Sequence, residues 1–191
     1  NYGYKQSFVI TASYSKTNDA MTDILEQDDE ARTTYQTRAN FAQFDNLSLN
    51  ISAPIKVTEW WSARLNVSGF MNHFRSTIST GEVDNQQVSY NGYMNNTFTL
   101  PKGFRFEISG FYNSPNVYGL FRSQSQYALD AGLFKSLWKG KGNFKVNVTD
   151  IFFTNRWKVD IQQDNIDARV AGRFESRRVN ATFTYKFGNT E

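Results

Sequence analysis

The chain has 191 residues, with 21 basic and 18 acidic side chains and a net charge of +3. Those charges are scattered rather than blocked, which argues against a nucleic-acid surface. Cysteine is absent, so disulfides, thiol nucleophiles and thiolate metal sites are excluded. No apolar run is long enough for a transmembrane helix, and mean hydropathy is −0.58. Neither fact excludes the membrane, because a barrel strand crosses a bilayer in about ten residues and only alternate ones face lipid. The 17 Phe, 10 Tyr and 4 Trp are therefore the better guide, and the 3 Pro suit long unbroken strands.

Alternation with a period of two runs through the chain and predicts strands, since successive side chains of a strand point to opposite faces. Residues 1–5 already read as the run-up to a strand, so the chain is expected to be a piece of a longer protein. Phe8, Ile10, Ala12 and Tyr14 begin the series. Residues 19–27 have some helix propensity and are read as the outer end of that strand or a short loop element. Leu47, Leu49, Ile51, Ala53 and Ile55 oppose Ser48, Asn50 and Ser52. After a tight turn at 56–59, Trp61, Ala63, Leu65, Val67, Gly69 and Met71 alternate with polar residues. Tyr90, Gly92, Met94, Phe98 and Leu100 follow, and beyond a turn at 101–103 come Phe104, Phe106, Ile108 and Tyr112. Leu129, Ala131 and Leu133 oppose Asp130. A turn at 139–143 leads to Phe144, Val146 and Val148. The last strand is expected over 168–187, where Val179, Ala181, Phe183, Tyr185 and Phe187 alternate with Arg178, Asn180, Thr182, Thr184 and Lys186.

Connections fall into two classes. The three short turns alternate along the chain with longer polar stretches near 27–33, 79–87, 114–125 and 155–167. Outer-membrane barrels show this asymmetry, with short periplasmic turns and long extracellular loops. The expected fold is therefore all-β: an antiparallel up-and-down transmembrane β-barrel of about eight strands, forming one domain over 1–191. A soluble lipocalin-like barrel alternates in the same way with its apolar face inward. Strand length and the aromatics near strand ends favour the membrane type. Trp60, Trp61, Phe104, Trp138, Phe144 and Phe187 are assigned to an interfacial girdle. Arg64, Arg105, Glu107, Asp130, Lys145, Arg178 and Lys186 are assigned to the lumen. Lys135 has lipid-facing parity but lies close enough to the 139–143 turn to snorkel. Gln43 and Asp45 share the parity of Leu47, which implies a bulge or a strand that outruns the bilayer.

Several short motifs resemble the C-terminal barrel region of TonB-dependent-receptor-like outer-membrane proteins of the Bacteroidetes type. They are Tyr35-Gln36-Thr37 with Asn40, Trp60-Trp61 opening a strand, and Tyr118-Gly119. Asp130-Ala131-Gly132-Leu133-Phe134-Lys135 and Val148-Thr149-Asp150-Ile151-Phe152 follow, and the run from Arg178-Val179-Asn180 to Thr184-Tyr185-Lys186-Phe187-Gly188 is similar to that family's final strand. The resemblance implies nutrient uptake across the bacterial outer membrane by a barrel of twenty-odd strands with an N-terminal plug. It implies as partners the outer-membrane lipid, the remaining barrel strands and plug, and a surface lipoprotein. A small self-contained eight-stranded membrane barrel with a structural or adhesive role, and a soluble ligand-binding barrel, stand as alternatives.

No catalytic, cofactor or metal constellation is expected, and the chain is not read as an enzyme. His73 is the only histidine, so a metal site or a Ser-His-Asp triad has no second His or Cys to draw on. Asp28-Asp29-Glu30 lacks the glycine-punctuated spacing of a calcium loop. Glu107, Asp130 and Asp150 fall on different strands or their ends, and lumen charge is their ordinary explanation. Asp150 has the parity of Val146 and Val148, where a charge in lipid costs several kcal/mol, so a bulge or the rim must remove it. Gly140-Lys141-Gly142 reads as a turn. Arg173, Arg177 and Arg178 suit either an anionic lipid at the rim or solvent. The transported substrate is not legible.

Overall fold

The computed structural model describes residues 7–28, 30–78, 81–163 and 166–188, and its regular structure is strand apart from single 3₁₀ turns at Pro101–Gly103 and Trp138–Gly140. Four long strands come first: β1 Val9–Asp28, β2 Thr33–Lys56, β3 Trp61–Ile78 and β4 Gly81–Leu100. Then follow β5 Phe104–Asn113, β6 Asn116–Tyr118, β7 Phe121–Ser123, β8 Gln126–Leu137, β9 Gly142–Thr149, β10 Arg156–Gln163, β11 Ile166–Arg173 and β12 Arg178–Tyr185. They form an antiparallel eight-stranded sheet in the order β1-β2-β3-β4-β5-β8-β9-β12 and a four-stranded sheet in the order β11-β10-β7-β6.

The register of the large sheet keeps the two predicted faces apart. One unbroken row is Trp61↔Phe98↔Phe106↔Leu133↔Val146↔Ala181, crossing six strands on the apolar face. The neighbouring row on the other face is Ser62↔Thr97↔Glu107↔Gly132↔Asn147↔Asn180. A one-residue slip at any strand would have mixed these sets.

The apolar face ends sharply. Tyr14, Leu47, Met71 and Val88 lie side by side in register, and the next row on that face is Lys16, Asp45, His73 and Gln86. Asp45 accepts hydrogen bonds from Tyr14 Oη at 3.0 Å, Gln43 Nε2 at 2.6 Å and Arg75 Nη2 at 2.7 Å. Burial of Asp45 raises its pKa, but the Arg75, Tyr14 and Gln43 hydrogen bonds outweigh that and hold the carboxyl below the usual range. No bulge is needed for Gln43 and Asp45, because the 24-residue strand β2 outruns the roughly ten residues a bilayer requires.

Two aromatic bands bracket that apolar face. On the long-loop side, the rings of Tyr90, Tyr112 and Tyr127 stack across β4, β5 and β8 at centroid distances of 5.6 and 6.3 Å. On the short-turn side, Trp61, Phe98 and Phe106 stack at 5.7 and 6.2 Å, with Trp60 against Phe98. Trp138 meets Phe183 and Tyr185 edge-on, and Tyr185 meets Phe187. The bands are eight residues apart along β4, from Tyr90 to Phe98, or roughly 26 Å at 3.3 Å per residue. At the roughly 35–45° tilt of membrane barrels that run spans about 18–22 Å of depth, the same order as the apolar height of an outer-membrane wall, about 25 Å.

Three sequence expectations are corrected. The described residues of 27–33 and 79–87, from which 29, 79 and 80 are excluded, are not long loops: β1 pairs with β2 from Val9↔Ser52 to Asp28↔Thr33, and β3 with β4 up to Ile78↔Gly81. Both are hairpins that continue as paired strands past the apolar zone, where polar residues on either face erase the alternation. The stretches 114–125 and 155–167 likewise hold strands, β6, β7, β10 and part of β11. Finally, 168–187 is not one strand. Its first part pairs with β10 in the small sheet and its second part with β9 in the large one. Between them the chain turns at 174–177, where Ser176 N–H donates to the Phe174 carbonyl at 2.8 Å.

Candidate functional site

The segment after β5 folds back over the polar face of the large sheet. Ser114 N–H bonds the Tyr90 carbonyl at 2.9 Å. The carbonyl of Pro115 then accepts from Ser89 Oγ at 2.7 Å and Gln87 Nε2 at 3.0 Å. Asn72 Nδ2 donates to Asn116 Oδ1 at 3.0 Å, while Asn46 Nδ2 donates to Asn72 Oδ1 at 2.6 Å. Asn85 Nδ2 reaches the Gly119 carbonyl at 3.0 Å. Asn46, Asn72, Asn85, Gln87 and Ser89 all have polar-face parity, so the short amides that suggested a wet surface also anchor β6. An apolar knot completes the join: Ile24, Phe74, Val117 and Leu120 are buried together, the half-buried Phe44 packs against them, and the Phe44 and Phe74 rings stack at 4.4 Å. Ile24 reaches this knot although simple alternation from Ile10 would send it to the other face. Asp19 lies between them at φ 53°, where the register passes from Asn18↔Gln43 to Ala20↔Phe41.

The four-stranded sheet built on β6 has two unlike faces. By register Tyr118, Phe121, Trp157, Val159, Ile161 and Val170 share one face, and Arg122, Lys158, Asp160, Arg169 and Ala171 share the other. On the charged face Asp160 takes Arg169 Nε at 2.6 Å and Gln124 Nε2 at 2.9 Å, which hold its carboxyl below the usual range. Arg156 and Lys158 have no carboxylate within 4 Å among the described residues. Two cavities flank this sheet. The first, about 560 Å³, lies between its apolar face and Asp23 and Gln36 of the β1–β2 hairpin. The second, about 280 Å³, lies between the small sheet and the large one, lined by Phe70, Asn91, Asn113, Gln126, Arg156 and Lys158.

Of the seven residues assigned to the lumen, six fall on the polar face of the large sheet: Arg64, Arg105, Glu107, Asp130, Lys145 and Arg178. Lys186 lies past the end of β12, where its N–H donates to the Lys141 carbonyl at 2.8 Å. Arg105 lies 3.1 Å from Glu107 and over the Phe134 ring at 4.6 Å. Asp130 Oδ1 accepts the Asp150 N–H at 2.7 Å, so those two carboxylates organise backbone rather than face each other across a cleft. Asp150 escapes the apolar face because β9 ends at Thr149 and Asp150 turns at φ 46°. Lys135 donates to the Lys102 carbonyl and lies over the Phe104 ring at 3.9 Å, at the short-turn end of its strand. His73 Nε2 is 2.7 Å from Asp84 Oδ1. Asp29 lies outside the described residues, and Asp28 Oδ1 accepts the Ala31 N–H at 2.9 Å in the hairpin tip. Arg173 and Arg177 both lie over the Phe153 ring, at 3.9 and 4.8 Å. Among the described residues, no group of three or more His, Asp or Glu is placed to hold a metal ion.

The sequence profile of the outer membrane protein beta-barrel family matches residues 1–185. The chain belongs to that family. It is an outer-membrane β-barrel of bacteria, and its antiparallel strands are those of such a wall. No curated protein and no solved structure matches the chain. The small sheet over the polar face of the large one was not anticipated from the sequence. Its one signal was the alternation of Trp157, Val159 and Ile161 in a stretch read as loop.

Proposed function

We propose that this barrel is the C-terminal part of a TonB-dependent-type receptor that takes up a nutrient across the outer membrane. In this reading the apolar face meets lipid, the polar face lines the lumen, and the long hairpins and small sheet lie at the extracellular mouth. The observation that carries the reading is the four-stranded sheet over the polar face. An eight-stranded closed barrel has an interior filled by its own side chains. Room for four further strands on that side requires a wider barrel, with strands beyond β1 and β12, which are the two edges of the large sheet among the described residues. Each edge lying within hydrocarbon would leave unpaired N–H and C=O groups costing several kcal/mol each, so neighbours are required. The likeness of the motifs around Trp60-Trp61, Asp130–Lys135 and Val148–Phe152 to TonB-dependent barrels supports the transport class.

The test is to isolate from outer membranes the polypeptide that carries this chain, determine its intact mass, and crosslink it to TonB in energised cells. The expected result is a polypeptide several times larger than 22.0 kDa that crosslinks to TonB. A polypeptide of about that mass, or one that never reaches TonB, overturns the reading.

A further inference from the structure

The two cavities lie against opposite faces of the small sheet and meet at one end of it, where both are lined by Asn116 at the start of β6, Ser123 at the end of β7 and Trp157 near the start of β10. Their chemistry differs in an ordered way. The larger cavity presents Tyr118, Phe121, Trp157, Val159, Ile161 and Val170, with a carboxylate, Asp23, on its opposite wall. Asp23 is 3.4 Å from Arg38, whose side chain is largely exposed. The smaller cavity presents the carboxamides of Asn91, Asn113 and Gln126 together with Arg156 and Lys158. The cross-strand neighbour of Arg156 is a third cation, Arg173. The nearest acid along β10, Asp160, is already engaged by Arg169 and Gln124. A molecule spanning both cavities therefore meets an aromatic and aliphatic wall at one end and two cations without carboxylate partners at the other. Trp157 stands at the junction, and its indole N–H makes no hydrogen bond among the described residues.

We propose that the two cavities form one continuous site for an amphipathic organic anion. Its aromatic or aliphatic body packs on Trp157 in the larger cavity, and its acidic group lies between Arg156 and Lys158 in the smaller one. The combined space suits a ligand of drug-like size, for which pockets of about 300–1,000 Å³ are usual. Polarity fixes the direction of binding, since the Arg156 guanidinium and Lys158 ammonium attract an acidic head to the smaller cavity, whereas the carboxylate lining the larger one, Asp23, is paired with Arg38. This deepens the uptake reading and rests on it for a role in transport, but binding itself does not depend on energy coupling.

The test uses two probes sharing one arylaminonaphthalene frame: 1-anilinonaphthalene-8-sulfonate, which is anionic, and N-phenyl-1-naphthylamine, which is neutral. The full-length protein is placed in phosphatidylcholine nanodiscs and saturable fluorescence is measured against empty nanodiscs. The sulfonate is expected to bind at least ten-fold more tightly than the neutral probe. Arg156→Gln with Lys158→Gln should remove that difference while leaving the neutral probe unchanged, and Arg156→Lys should retain it. Val170→Trp, which fills the larger cavity, should weaken both probes at least ten-fold. Equal affinities in the native protein overturn the proposal, as does sulfonate binding that is indifferent to the paired Gln variant or to Val170→Trp. A protein that binds as expected yet never crosslinks to TonB would defeat the uptake reading and leave the site standing.

Discussion

At the scale of single residues, Asp150 and Gly142 show what the ends of the strands demand. Asp150 is 2% exposed, yet it is fully engaged. It accepts from Thr154 N–H at 2.8 Å, Asn155 N–H at 3.1 Å and Ser176 Oγ at 2.5 Å. Burial pushes its pKa up, but these hydrogen bonds, Ser176 foremost, outweigh burial and leave it below the ordinary carboxylate value. A carboxyl whose folded pKa is depressed stabilises the fold above its unfolded pKa, about 3.9, and that contribution is lost as pH falls through the folded value. Acidification below pH 4 should therefore loosen the 150–155 turn before the sheet, read as faster intrinsic-rate-corrected amide exchange at Thr154 and Asn155. Asp150→Ala should strand those donors at about 1–3 kcal/mol for each buried group, measured by urea unfolding in micelles. A loss below about 0.5 kcal/mol would contradict the organising role. Gly142 is needed for a different reason. A Cβ there would sit 2.4 Å from Trp138 Cε3, so Gly142→Ala must displace the indole. The expected cost is about 1–3 kcal/mol, with loss of Trp138 quenching by brominated lipid.

At the scale of the element, each strand of the large sheet carries one apolar and one polar face, and the register aligns them. A spin label at Phe183 should be more accessible to lipid-dissolved oxygen than one at Thr182, its neighbour on the other face. Equal accessibility would invert or abolish the assigned orientation. Leu65 lies between the two bands on the apolar face of β3, so Leu65→Arg should cost about 2–4 kcal/mol if it sits at the midplane. Between the two bands Asn96 is the polar exception on that face among the described residues. It falls in the row Ala63↔Asn96↔Ile108 and accepts a hydrogen bond from Trp61 Nε1 at 3.1 Å. Alternation alone passes over Asn96, because its partner is cross-strand and 35 positions earlier in the chain.

At the scale of the whole molecule, closure of the barrel is measured at β1 and β12, the two edges of the large sheet among the described residues. Residues 1–191 refolded alone in micelles should show fast amide exchange for the outward N–H groups of Val9–Tyr14 and Arg178–Tyr185, with the central strands protected. Protection of both edges equal to that of β3 and β4 would mean that the chain closes on itself, and the wider barrel would then be wrong. The small sheet should survive that experiment, because its anchors, from Ser89–Pro115 to Phe74–Val117, are all internal to the chain.

The sequence by itself determined which residues share a face along the strands of the large sheet and where the short turns lie. Those features are local: a strand's side chains alternate whatever its partner, and a lipid boundary on one side stamps that alternation into residue type. Only the tertiary structure decided where strands end beyond the bilayer, how 168–187 divides between two sheets, and that 114–125 and 155–167 build a sheet over the polar face. Pairing there is made by backbone groups, which carry no sequence signature, and water on both faces removes the polar-apolar contrast. The Asn72–Asn116 bond, the Ile24–Phe74–Val117 knot and the cavities sharing Trp157 join segments far apart in the chain. None could be read before the segments met.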